Sequence, residues 1–352
     1  MEQRLTKLWY RETAGPSLLQ PLSWLYGTAI RVRATAYARR WLTSHRVDKP
    51  VVVVGNLTVG GTGKTPLVIW LARHLTERGL RVGIVSRGYG ADAAEAPRLV
   101  NETSNWQDVG DEPLLLYRGT QCVTLIGRDR VAAAQALVTR GVDVIVSDDG
   151  LQHLRLARDC EIVVIDGTRG FGNGRMLPAG PLREPVSHLA DADVIVINGV
   201  AEHSSLRRVA SSIEAGSIEA RALQMTLLPG DAVRLDGGEP SRSLEAFRGR
   251  SVHAVAGIGN PARFFRDLRA RGLDVIEHAF PDHYPFAARD LSFGDDLPVL
   301  MTEKDAVKCA SFADPRLWSV PTTATFSEAQ ARELLDHVMR KIESRRVPEV
   351  KS

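Results

Sequence analysis

The pair of segments Val51-Val52-Val53-Val54-Gly55 and Gly60-Gly61-Thr62-Gly63-Lys64-Thr65 constrains this chain more than any other feature. A β-branched apolar run closed by glycine is a buried strand. The apolar spacing over residues 66–78 predicts a helix directly after the glycine-rich stretch. Three glycines between a strand and a helix let backbone N–H groups curl inward around an anion. The starting helix adds its positive dipole end. Lys64 supplies a cation for β- and γ-phosphates, and Thr65 a hydroxyl for Mg²⁺. Thr58, Val59, Gly60, Gly61, Thr62, Gly63, Lys64 and Thr65 are therefore expected to wrap ATP phosphates. One departure stands out: Thr58 occupies the position of the first glycine in G-x-x-x-x-G-K-[ST].

Further apolar runs at 81–86, 142–146, 161–165 and 194–197 alternate with helical segments, which predicts a parallel sheet with crossovers. The fold class expected is α/β: a P-loop NTPase-like parallel sheet with helices on both faces. From about residue 222 the rhythm changes. Runs at 222–228 and 232–235 flank Pro229-Gly230-Asp231, a hairpin signal. Strands at 252–256, 273–279 and 299–302 and helices at 261–271 and 327–342 follow, with 314–319 as a loop. The expected division is an N-terminal helical segment over 1–48, a kinase-like core over 49–221, and a smaller C-terminal α/β unit over 222–352, joined through the hairpin.

The formal charge of +3 over 352 residues is too small to imply nucleic acid. Its distribution is uneven. Residues 1–50 hold nine Lys/Arg against three acids, a surplus of six, so the rest is slightly acidic. Such an end suits an anionic surface. Residues 13–30 carry no charge, but Pro16, Gln20, Pro21 and Gly27 interrupt them, and no secretory signal is visible. A helix over about 21–42 is expected. Either it lies on a membrane, burying Leu22, Trp24, Leu25, Tyr26 and Ile30 with Arg31, Arg33, Arg39 and Arg40 at the headgroups, or it packs on the body. Cys122, Cys160 and Cys309 show neither metal nor disulfide spacing, as in a reducing cytoplasm.

Asp148 and Asp149 follow an apolar strand, where ligands gather in such sheets, and are the first candidates for Mg²⁺; Asp166 is a rival at another strand end. Asp111 and Glu112, ahead of a helix, either take a proton from a hydroxyl or merely cap the helix. Arg128 and Arg130 bracket Asp129 and either clamp anions or are solvated. The proline-stiffened segment 177–185 ends in Arg183 and Glu184. His283 lies in a second proline-bounded loop, Pro281-Asp282-His283-Tyr284-Pro285-Phe286. A lone histidine is more often structural, but beside Asp282 it can enter a cleft.

Taken together, the segments from Val54 to Pro66, Ser86-Arg87-Gly88-Tyr89-Gly90, Gly110-Asp111-Glu112-Pro113, Asp148-Asp149-Gly150-Leu151-Gln152-His153, 177–185, 280–286 and Thr302-Glu303-Lys304-Asp305-Ala306-Val307-Lys308 resemble the tetraacyldisaccharide 4′-kinase family of lipid A biosynthesis. The likeness runs through nearly the whole chain, and Thr58 is similar to that family's own loop. The resemblance implies transfer of the ATP γ-phosphate to the 4′-hydroxyl of a tetraacylated disaccharide 1-phosphate, with Mg²⁺, at the cytoplasmic face of the inner membrane. It implies an Asp–His pair at Asp111 and His283. It also puts Arg130, Asp148, Asp149, Arg183 and Glu184 near phosphates, metal or lipid. The expected metal set is Thr65, Asp148, Asp149 and Glu184; the expected substrate contacts are Arg130, Arg183 and Glu112. The partners expected are the acylated lipid and an anionic membrane surface, with no obligate protein partner. The competing reading is a membrane-associated P-loop ATPase switch of the partitioning or insertion type, which would have no use for a hydroxyl acceptor.

Overall fold

The computed structural model describes residues 8–10, 18–88, 96–203, 205–206, 220–238 and 240–346. Helix α1 (Gln20–Ala38) precedes strand β1 (Val51–Gly55), the phosphate loop and α2 (Lys64–Glu77). Strands β2 (Val82–Ser86) and β3 (Arg98–Val100), helix α3 (Asp111–Thr120), strand β4 (Val123–Ile126), helix α4 (Arg130–Thr139), and strands β5 (Val144–Asp148), β6 (Cys160–Asp166), β7 (Val194–Asn198) and β8 (Arg221–Pro229) follow. Of the Ser86–Gly90 motif, Tyr89 and Gly90 lie outside the described residues.

The second half contains β9 (Val233–Arg234), β10 (Ser251–Ala256), α5 (Pro261–Arg269), β11 (Asp274–Ala279), β12 (Val299–Thr302), α6 (Glu303–Cys309), β13 (Leu317–Val320), β14 (Thr322–Thr325) and α7 (Glu328–Arg346). One sheet has nine strands in the order β14-β8-β7-β6-β1-β5-β2-β4-β3, and the other five in the order β11-β10-β12-β13-β9. Both are parallel except at the β14–β8, β3–β4 and β13–β9 pairs.

The valine run explains why β1 is central. Its period of two sends Val52 and Val54 to one face and Val51 and Val53 to the other. Val52 and Val54 pack with Leu67, Leu71 and Leu75 of α2 and with Leu334 and Val338 of α7. Val51 and Val53 pack with Val131, Ala134 and Leu137 of α4. Each buried valine contributes roughly 1.5–3 kcal/mol, and only helices on both faces can supply that cover. The smaller sheet has its own core around Phe247, Phe265, Leu268, Leu300 and Trp318.

Two sequence expectations give way. Pro229-Gly230-Asp231 does not close a hairpin: β8 lies in the larger sheet and β9 in the smaller one. Proline and glycine here let the chain pass between sheets beside the returning strands β13 and β14. Gly230 N donates to Pro321 O at 2.9 Å, and Ser319 pairs with Val233. The two connections thus form one bent two-stranded ribbon. Residues 317–319, expected as part of a loop over 314–319, instead form β13 with Val320, because pairing with β12 and burial of Trp318 outweigh the flanking prolines. Both β14 and α7 belong with the larger sheet, although they come late in the chain.

Candidate active site

Asn56, Thr58 and Val59 fix the entry to the phosphate loop. Thr58 is buried and bridges Leu182, while Val59 N donates to Pro181 O at 2.8 Å. Asn56 Nδ2 donates to Thr58 O at 2.8 Å. The chain at Thr58 is extended and pinned to the 177–185 segment, so no glycine is needed there. Gly63, the N-cap of α2, has φ of 95°, and a Cβ on it would lie 2.5 Å from Asn198 Nδ2. No L side chain fits that position.

Lys64 Nζ donates to Asn56 Oδ1 at 2.9 Å and lies 3.3 Å from Asp149. Arg183 grips the same two residues: its guanidinium meets both Asp149 oxygens, at 2.8 and 3.0 Å, and also Asn56 Oδ1. Burial opposes the charge on Asp149, but Lys64 and Arg183 outweigh it and hold the carboxyl far below the usual range. Asp148 is the opposite case. It is buried at the end of β5, and burial, Glu112 and Asp149 push its pKa up to about 7 against Lys64 and Arg130. Its Oδ2 accepts from Ser86 Oγ at 3.2 Å, while Oδ1 is buried without a hydrogen-bond partner. Two adjacent carboxyls are thereby driven apart in acidity.

Asp111 starts α3 and is only 3% exposed. Its oxygens lie 2.9 and 3.0 Å from His283 Nδ1. His283 sits at φ of 59°, in the left-handed region. Burial would raise the Asp111 pKa, but the His283 bond, Lys304 and Lys308 lower it below the usual range. Burial lowers His283, and the Asp111 bond more than restores it, so its pKa stands above the ordinary value. Lys304 Nζ reaches Glu112 at 2.9 Å, Asp282 at 3.0 Å and His283 Nε2 at 3.2 Å. Asp111 and Glu112 belong to the larger unit, and His283, Asp282 and Lys304 to the smaller. Between the units lies a cleft of about 480 Å³, lined by the phosphate loop, Ser86, Arg87, Asp148, Asp149, Arg183, His283 and Lys304. That volume suits a nucleotide-sized ligand.

Residues 16–340 match the family described as tetraacyldisaccharide-1-P 4′-kinase. A tetraacyldisaccharide 4′-kinase of Alkalilimnicola ehrlichii is 51% identical over 326 residues, 93% of each chain. One from Xanthomonas euvesicatoria is 48% identical over 331 residues, 94% of each. The crystal structure of LpxK from Aquifex aeolicus in complex with ATP superposes with a TM-score of 0.72 at 28% identity, covering 92% of this chain and 98% of that one.

The chain belongs to the tetraacyldisaccharide 4′-kinase family. It is a kinase of lipid A biosynthesis, and the ATPase-switch reading falls away. The fold brings most of the residues expected for a tetraacyldisaccharide 4′-kinase to one cleft: Val59, Gly60, Gly61, Thr62, Gly63, Lys64, Thr65, Glu112, Arg130, Asp148, Asp149, Arg183 and His283 all line it. Asp111 lies just behind His283. Arg130 spends its buried guanidinium on Ser147 Oγ and on the carbonyls of Asp148 and Asp149, so it braces the end of β5. Glu184 does not line the cleft; its carboxylate faces His188 Nδ1 at 3.9 Å. Asp166 receives Thr168 N, Thr168 Oγ1 and Arg169 N, which makes it a turn former. Asn56, Lys304 and Gly259 were not singled out from sequence. Gly259 approaches the phosphate loop so closely that a Cβ on it would stand 2.2 Å from Gly61 N.

Proposed function

We propose that the cleft transfers the γ-phosphate of ATP to the 4′-hydroxyl of a tetraacylated disaccharide 1-phosphate, with the Asp111–His283 pair receiving the hydroxyl proton. The observation that carries this reading is the 2.9 Å contact joining Asp111 to His283 Nδ1 across the two units, at the mouth of a phosphate loop. Phosphoryl transfer needs positioning and charge neutralisation more than covalent help. The backbone of residues 60–65 cradles the β- and γ-phosphates, and Lys64 and Arg183 neutralise charge between donor and acceptor. His283 lines the cleft while Asp111 is behind it, so Nε2 is the atom that takes the proton, and Asp111 orients the ring and stabilises the imidazolium.

Mg²⁺ fits the donors present. Among the described residues no cluster of three His, Cys, Asp or Glu side chains forms a cage. A magnesium ion needs only one or two carboxylates when phosphates supply the rest. Asp148, with its orphaned Oδ1, and the Thr65 hydroxyl would hold it. Bound there, it neutralises charge on the phosphates.

The lipid substrate calls for a membrane surface. Among the described residues no helix is long and apolar enough to cross one. Helix α1 instead buries Ser23 and Gly27 against the body and leaves Leu22, Trp24 and Leu25 outward, with Trp24 66% and Leu25 69% exposed. With the exposed Arg31, Arg39 and Arg40 on the same segment, this face suits peripheral docking on the anionic cytoplasmic leaflet of the inner membrane. Incubation with labelled ATP and tetraacyldisaccharide 1-phosphate should label the lipid at the 4′-position, and His283→Gln should reduce kcat with little change in ATP affinity. Absence of labelled lipid overturns the reading.

A further inference from the structure

Lys304 stands at the point where the two units meet, and no simple packing need explains it. Its side chain is 15% exposed, and its ammonium has three partners from two units: Glu112 at the start of α3, and Asp282 and His283 from the loop after β11. A buried ammonium is costly unless paired, and two carboxylates suffice for pairing. The contact with His283 Nε2 is therefore surplus to Lys304's own needs.

Its effect falls on the histidine. An ionised carboxylate only accepts, and an ammonium only donates. Asp111 at Nδ1 and Lys304 at Nε2 are jointly satisfied by one protonation pattern alone: a neutral ring with the proton on Nδ1 and the lone pair on Nε2. An imidazolium would set N–H against N–H at 3.2 Å. We propose that Lys304 is a positioning residue for the phosphoryl transfer, favouring the neutral ring of His283 and fixing the Nε2 lone pair on the cleft side, ready for the sugar hydroxyl. When the hydroxyl arrives at Nε2, the ammonium gives up one of three contacts and keeps both carboxylates. The proton passes from the hydroxyl to Nε2 while the hydroxyl oxygen bonds phosphorus and ADP leaves.

The other charges around the ring make the direction of the effect clear. Asp111 faces Nδ1, Asp282 lies 3.9 Å from Nε2, and Glu112 stands behind Lys304. Lys308 lies 3.8 Å from Asp111, but it is tied to Asp305 at 2.7 Å. Apart from Lys304, these neighbours among the described residues are thus mainly acidic and favour protonation. Lys304 counters the push that Asp111 gives His283. Without it, His283 protonates at higher pH and the base is lost over a wider range.

This inference rests on the Asp111–His283 reading, and the experiment separates the two. The pH dependence of kcat for lipid phosphorylation is measured for the wild type, Lys304→Met, Lys304→Arg and His283→Gln. Loss of the charge in Lys304→Met should move the acid limb upward by about one pH unit or more, a roughly tenfold loss of rate on that limb. Lys304→Arg, which keeps the charge, should leave the limb near its wild-type position. His283→Gln should abolish the limb. A limb that persists in His283→Gln removes the base reading itself. A limb that disappears there, yet stays in place in Lys304→Met, overturns only the role of Lys304. Should Lys304→Met not fold, imidazole ¹⁵N shifts of the wild-type protein give the answer, with His283→Gln for assignment. A protonated Nδ1 and bare Nε2 sustain the inference, and the opposite tautomer overturns it.

Discussion

Lys64 has two resting partners, Asn56 and Asp149, and both are shared with Arg183. The cations proposed to meet nucleotide phosphates are thus held in place by the protein before any ligand arrives, and preorganised charge of this kind is the largest usual contribution to such catalysis. Lys64→Ala should lower kcat by roughly 10²–10³-fold, measured as label transferred to lipid; near-wild-type turnover would refute the loop assignment. A second residue test concerns stability. Burial lowers the His188 pKa, but its 2.8 Å bond to Glu161 and the nearby Glu184 raise it above the ordinary value. That contribution is fully present below the unfolded-state pKa near 6.5 and disappears as pH rises through the folded value. His188→Gln should therefore lower Tm by several degrees at pH 6 and by clearly less at pH 9, with equal losses at both pH values counting against the ion pair. Sequence reasoning located Lys64, Thr65, Asp148 and Asp149 because they are local to strand ends. Asp111 and His283 lie 172 positions apart, so only the family resemblance joined them. Lys304 was missed because a lysine inside Glu-Lys-Asp looks like solvated helix surface, and nothing local tells which way a buried carboxylate such as Glu184 turns.

Helix α1 is tied to the body by side chains: Ser23 Oγ donates to Met176 O at 2.8 Å, Tyr26 OH to Arg183 O at 3.1 Å, and Arg33 to Gln152 O at 2.9 Å. The sequence left two possibilities, a helix on the membrane or one on the body. Packing through Ser23, Gly27 and Tyr26 leaves Leu22, Trp24 and Leu25 outward, so the two are compatible. Trp24→Glu with Leu25→Glu should cut binding to anionic vesicles at least about tenfold, since each buried side chain is worth roughly 1.5–3 kcal/mol and each basic residue about 1 kcal/mol. Unchanged cosedimentation would argue against docking through this face. The catalytic strands were legible because their valine and isoleucine runs are buried on both sides. Strands β13 and β14 were not, because Leu-Trp-Ser-Val and Thr-Thr-Ala-Thr carry no strong period and owe their structure to partners far away in sequence.

Across the whole molecule, the proposed transfer calls for the smaller unit to sit closely on the larger. Gly259, in the loop between β10 and α5, lies close against the phosphate loop, and Arg169 NH1 donates to its carbonyl at 2.8 Å. Gly259→Ala would force the loop off the phosphate-binding backbone, and a displacement near 1 Å can cost about 10²-fold. Reduced kcat and weaker ATP binding, with Tm almost unchanged, are expected by steady-state kinetics and calorimetry; full activity would show that the approach is not needed. The ribbon that links the two sheets has one more consequence. Thr322 stands opposite Pro229 in the β14–β8 register, and Ser319 opposite Val233. The polypeptide therefore leaves the nine-stranded sheet and rejoins it at neighbouring points. Topologically the smaller sheet is an insert with a single doorway: a short turn from Pro229 to Thr322 would close the host sheet around its excision, and the excised piece, with its ends side by side, is a natural substrate for circular permutation.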